Sequence, residues 1–156
     1  MTTTTIDGKM SIQLPEGFEV MEKAEVQKAY ALDYDSLWGA RDKERHVLLT
    51  CIWKESHELL VKLVGADALA KRAEKALSKT YKASGYHFDG YFDTELAGKP
   101  AKGFSYGFML EGIAQKAEVI VVTDGARSYT FYYYTRPELS AANQQLHDEL
   151  LGSLAL

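Results

Sequence analysis

Gly103-Phe-Ser-Tyr-Gly107 has the G-x-S-x-G spacing with which a serine hydrolase holds its nucleophile on a tight strand-to-helix turn. An acid and a histidine must then follow in the chain, and Asp124 and His147 stand in that order. The surroundings argue against the reading. Ser105 lies between Phe104 and Tyr106 in an alternating stretch, and a further strand pattern follows where a helix is needed. A plain serine on a sheet is the expectation. Asp33 and Asp35, with Glu44 beyond them, resemble part of a calcium loop. Such a loop needs an oxygen donor at its fifth position and glycine at its sixth, where Leu37 and Trp38 stand. His46, His57, His87 and His147 show neither an HxH nor an HxxxH spacing, so no element presents two ligands together and no metal site is expected. The single Cys51 falls in an apolar stretch, where a thiol stays protonated, and has no partner for an internal disulfide. Phosphate-cradling glycine loops are absent. No catalytic residue and no cofactor is therefore expected, and the chain reads as a non-enzyme.

Two groups of residues fit binding instead. The segment from Asp33 to Arg45 is polar and reads as an irregular loop, with Trp38 in its middle and Arg41 opening a charge run. A tryptophan there either pins the loop to the core or serves as an anchor for a partner, since interfaces favour Trp and Arg inside a charged rim. Pinning is the expectation. In the run from Arg127 to Thr135, alternation sends Tyr132 and Tyr134 to the face opposite Phe131 and Tyr133. Either set suits an aromatic pocket for a small molecule, and packing under helices is the plainer expectation. Ser105 as a hydrolase nucleophile is a third and weaker alternative.

The elements that must carry these residues follow from periodicity. Met10, Ile12 and Leu14 alternate and stop at Pro15-Glu-Gly17, a short strand and a turn. Glu22 to Ala31 has helical spacing. His46 to Trp53 is apolar on both alternations, a strand covered on both faces. Ala66 to Lys82 carries a stripe of Ala66, Leu69, Ala70, Ala73, Ala76, Leu77 and Tyr81, the clearest helix. Its outward lysines and arginine read as a solvated face. From Tyr86 to Thr135 four strands form a meander, with Phe88 and Phe92 alternating against Asp89, Tyr91 and Asp93. Asp124-Gly125 marks a hairpin of type I′. Pro137 opens a last helix with Leu139, Ala142, Leu146 and Leu150 on its stripe. Four antiparallel strands, two of them apolar on both sides, need cover on both faces. The expected fold is α+β, a three-layer α/β/α sandwich around an antiparallel sheet, as one domain over residues 1–156 with a flexible start at 1–9.

Composition bounds the partners. With 156 residues, 18 Lys and Arg against 22 Asp and Glu, and a net charge of −4, the chain has no basic half or tail. That disfavours general nucleic-acid binding. No apolar run is long enough to span a bilayer and Met1 to Asp7 has no signal-peptide character, so the expected location is cytoplasmic, without membrane insertion.

Four short motifs, in order, resemble the PsbP-like superfamily. Ser11-Ile-Gln-Leu-Pro-Glu-Gly-Phe18 resembles its opening motif. Leu96-Ala-Gly-Lys-Pro-Ala-Lys-Gly-Phe104, Tyr129-Thr-Phe-Tyr-Tyr133 and a terminal helix reaching Leu151-Gly-Ser-Leu154 resemble its second half. Together they cover about half the chain, and residues 21–56 depart from the pattern. Members include a lumenal photosystem II subunit, a Ran-binding import factor, bacterial envelope lipoproteins and secretion chaperones. The resemblance implies a bacterial-type cytoplasmic member with the shared fold and a non-enzymatic adaptor role toward an unidentified protein partner. No binding residue carries over, and a homo-oligomer is compatible with it.

Overall fold

A computed structural model describes residues 1–30, 36–55 and 58–156, with residues 29, 30 and 58–64 described by backbone alone. Strands β1 (Thr2–Thr5) and β2 (Ser11–Leu14) pair as an antiparallel hairpin. Then follow β3 (Glu19–Val20), α1 (Lys23–Tyr30), β4 (Leu37–Asp42), β5 (Val47–Glu55) and α2 (Glu58–Thr80). The meander is β6 (His87–Leu96), β7 (Lys99–Leu110), β8 (Ile113–Asp124) and β9 (Arg127–Thr135), and α3 (Gln144–Gly152) closes the chain. Among the described residues, seven strands form one antiparallel sheet in the order β3-β4-β5-β9-β8-β7-β6. The protein is α+β with an antiparallel sheet, as its patterning indicates.

Two-residue turns fix the meander's registers. Ala97-Gly98 and Glu111-Gly112 both have positive φ at their two central positions, the type I′ geometry whose twist matches a hairpin. The expected I′ turn at Asp124-Gly125 is different. Its central residues are Gly125 and Ala126, because Asp124 pairs with Arg127, and only Gly125 has positive φ, as in type II′.

Each sheet face has its own core. On one face, Trp38, Leu49, Cys51, Ile120, Phe131 and Tyr133 pack with Leu146 and Leu150 of α3 and with Met10, Ile12 and Leu14 of the β1–β2 hairpin. On the other, Ala70 and Leu77 of α2 pack on Phe104, Tyr106, Phe108, Val119 and Val121. Beside them Met21 and Val26 pack on Leu37, Leu48 and Ile52. Of the expected stripe, Ala66, Leu69, Ala70, Ala73 and Leu77 form the inner face of α2, Ala76 is exposed, and Tyr81 packs just beyond the helix, whose backbone breaks at Gly65 (φ 69°, ψ 171°) and extends back to Glu58.

Three local expectations are corrected. The segment expected as an irregular loop contains β4, with Leu37, Trp38 and Ala40 buried and paired to β5. Its charges hid the strand: Asp42 is buried and accepts from Arg45 Nε at 2.5 Å, while Arg41 faces α1 and pairs with Glu19 and Glu25. The four threonines expected to fray form β1. The last helix is interrupted after a 3₁₀ turn at Pro137–Leu139, because Asn143 turns inward to donate to the Arg45 carbonyl and to Thr135 Oγ1, both at 3.0 Å. Asp33, Asp35 and His57 lie outside the described residues.

Candidate functional site

Trp38, Arg41, Tyr132 and Tyr134 are not brought together. Trp38 is 8% exposed in the α3-side core, opposite Cys51 in the β4–β5 register, and its Nε1 has no hydrogen-bond partner among the described residues. Arg41 donates to Glu19 at 2.8 Å and to Glu25 at 2.7 Å, tying β3 and β4 to α1. Tyr132 and Tyr134 lie half-buried on the opposite face, between the α2 core and the α1 core.

The hydrolase alternative meets a specific geometry. Ser105 and His147 line one cleft of about 190 Å³ with Glu118, Tyr133 and Thr135. Ser105 sits in mid-strand opposite Glu118, while Asp124 pairs with Lys99 at 3.0 Å. His147 Nε2 contacts Glu118, and its Nδ1 is 2.9 Å from Asp148 Oδ1. Burial alone would lower the imidazole pKa, but the Glu118 and Asp148 carboxylates outweigh it and raise the pKa. The two carboxylates facing its nitrogens favour the imidazolium, the form that has no lone pair with which to take a proton from Ser105. The motif's glycines have another cause. A β-carbon at Gly103 would stand 2.6 Å from Phe92 Cε2 and 2.8 Å from the Val119 carbonyl, and one at Gly107 would meet the His87 ring. Both glycines make room for rings from the neighbouring strand β6.

On the α2 face the aromatic side chains form a continuous ladder. Tyr134 meets Phe108 edge-on at 5.6 Å between ring centroids. Phe108 follows onto Tyr106 at 5.9 Å, and Tyr106 onto Phe104 at 5.6 Å. Tyr81 stacks on Phe108 at 4.4 Å, and Tyr86 flanks Tyr106 at 5.7 Å. Burial pushes the Tyr106 and Tyr134 phenols well up, so both stay protonated. Phe104 then touches Phe88 at 6.2 Å and Tyr91 at 6.0 Å, which are 4.9 Å from each other.

This ladder surfaces at one end. Phe104 is fully buried, whereas Phe88 is 42% and Tyr91 39% exposed. The two share a face because a bulge between Phe88 and Gly90 adds one residue to β6. Strict alternation puts them on opposite faces, which is why sequence patterning missed the pair. Gly90, at φ 124°, was the readable sign of the bulge. Beside the pair, Lys102 Nζ lies 5.8 Å from the Tyr91 ring centroid and pairs with Asp93 at 3.2 Å and Asp67 at 3.6 Å.

No protein-family model and no curated protein matches the chain. Solved structures do. Cyanobacterial PsbP from Synechocystis superposes with a TM-score of 0.72 at 15% identity, over 99% of this chain and 91% of that one. A Bacteroides thetaiotaomicron protein superposes at 0.63 and 10% identity, over 96% of this chain but 46% of that one. The Saccharomyces cerevisiae Ran-binding protein Mog1p superposes at 0.59 and 8% identity, over 98% and 93%. The α+β architecture with its antiparallel sheet is therefore that of a known fold class. It is the PsbP-like fold shared with Mog1p.

Proposed function

We propose that the chain is a non-enzymatic binding module for a protein partner, one domain in which α2 and α3 form the outer layers of an α/β/α sandwich, working in the cytoplasm. The observation that carries this reading is the emergence of the aromatic ladder at Phe88 and Tyr91. Large rings backed by a packed core are what protein interfaces use as anchors, because they bury much area at little entropic cost. The fold is shared with a Ran-binding protein, which is compatible with an adaptor role. A small-molecule carrier is less well supported: the α3-side cleft, about 190 Å³, is smaller than the roughly 300 Å³ at which ligand pockets begin, and Tyr132 and Tyr134 do not line it.

A photo-cross-linking residue at position 91 tests the proposal in cells. It is expected to trap a discrete protein that the same residue at exposed Gln145 does not. Identical patterns from both positions would defeat it.

A further inference from the structure

The exposed rings lie on a sheet edge that is itself open. β6 is last in the strand order and pairs with β7 on one side; its other backbone edge has no strand partner among the described residues. From Gly90 to Leu96 its register with β7 is unbroken, so Tyr91 to Glu95 offer a regular strand edge. Carboxylates line it. Asp89, Asp93 and Glu95 belong to the strand, with the Asp89 side chain 48% and that of Asp93 89% exposed. Lys102 shows how this setting receives a cation, with its ammonium between the Tyr91 ring, Asp93 and Asp67.

We infer that this edge takes an extended, basic segment of a partner protein, added as a strand alongside Tyr91–Glu95. Partner Lys or Arg side chains lie against Phe88 and Tyr91 and pair with Asp89, Asp93 and Glu95. The inference rests on the binding role proposed above and gives that role a partner chemistry. Charge selects the occupant. A second copy would meet β6 with β6 about a twofold axis, setting the acids of one strand against those of the other. An acidic segment meets the same repulsion, reinforced by the chain's net charge of −4. A basic strand meets the three carboxylates, of which Asp93 also pairs with Lys102 and Asp89 lies 3.5 Å from His87 Nε2.

The test uses the full chain and two fluorescein-labelled ten-residue peptides, one alternating Arg and Thr, the other Glu and Thr. Fluorescence anisotropy is expected to show binding of the Arg peptide alone. The triple variant Asp89→Asn, Asp93→Asn, Glu95→Gln should weaken it at least tenfold. The double variant Phe88→Ser, Tyr91→Ser should weaken it likewise. Amide hydrogen exchange should slow at β6 on binding. Equal affinity for both peptides, an unaffected triple variant, protection elsewhere, or no binding would each overturn the inference. So would a dimer, seen by sedimentation, that protects β6 in place of the peptide. A cross-link from position 91 without Arg-peptide binding removes the basic strand and leaves the binding role standing. Absence of any cross-link removes the binding role itself.

Discussion

Asp7 and Tyr129, 122 residues apart, are joined by a 2.6 Å hydrogen bond from phenol to carboxylate. The contact ties the β1–β2 turn to β9. The same carboxylate accepts from the backbone N–H groups of Lys9 and Met10 at 3.0 and 2.8 Å and pairs with Arg127, which also reaches Glu55. The Asp7 side chain is fully enclosed.

That network sets an acid dependence. Burial alone would raise the Asp7 pKa, but hydrogen bonds from Met10, Tyr129, Arg127 and Lys9 outweigh it and hold the group at about 2. A depressed carboxylate stabilises the fold above its unfolded pKa of about 4, and this is lost as pH falls from there toward 2. Asp7→Asn is expected to cost roughly 2–3 kcal/mol at pH 7, by analogy with a shift of that size, and to flatten the acid limb. Thermal melts from pH 7 to pH 2 give both quantities. An acid limb as steep as in the unmodified chain would contradict the assignment.

His147 has the opposite sign. Its pKa is raised, so its contribution is complete below the ordinary imidazole value of about 6.5 and lost as pH rises through the higher folded value. His147→Gln should therefore be most destabilising below pH 6 and approach the unmodified chain in alkaline solution. The ring-proton titration followed by NMR should have its midpoint above that of free histidine.

Ser105 and Gly103 separate a sheet from a hydrolase. Gly103→Ala meets Phe92 and the Val119 carbonyl and should cost about 1–3 kcal/mol, the usual range for overpacking. Ser105→Ala should leave the melting temperature nearly unchanged. Esterase turnover that disappears in Ser105→Ala would restore the nucleophile reading.

Trp38→Ala should destabilise by about 3 kcal/mol or more, since the ring is buried between β4 and the α3-side core. Chemical denaturation measures it directly. A midpoint equal to that of the unmodified chain would mean that Trp38 is not a core residue.

Much of this structure was legible in the sequence because its signals were local. The helix from Ala66 and the strands from Lys99 to Thr135 have clear periods, and turn residues separate them. β4 was not legible, because Asp42 looks like a solvated charge until Arg45 is folded beside it. The candidate site was hidden for a related reason. One bulge residue at Asp89 reverses the alternation, so Phe88 and Tyr91 become neighbours only when β6 is paired with β7. Trp38, expected as a pin with an interface anchor as the alternative, is buried in the α3-side core, and Arg41 pairs with Glu19 and Glu25.

The claim that the ladder's exposed end is the contact surface is tested most directly by Phe88→Ser in the chain bearing the cross-linker at position 91. Both side chains are substantially exposed, so the melting temperature should move by no more than about 2–4 °C, while the yield of trapped partner collapses. Undiminished trapping, or a large fall in melting temperature with trapping retained, would contradict the account.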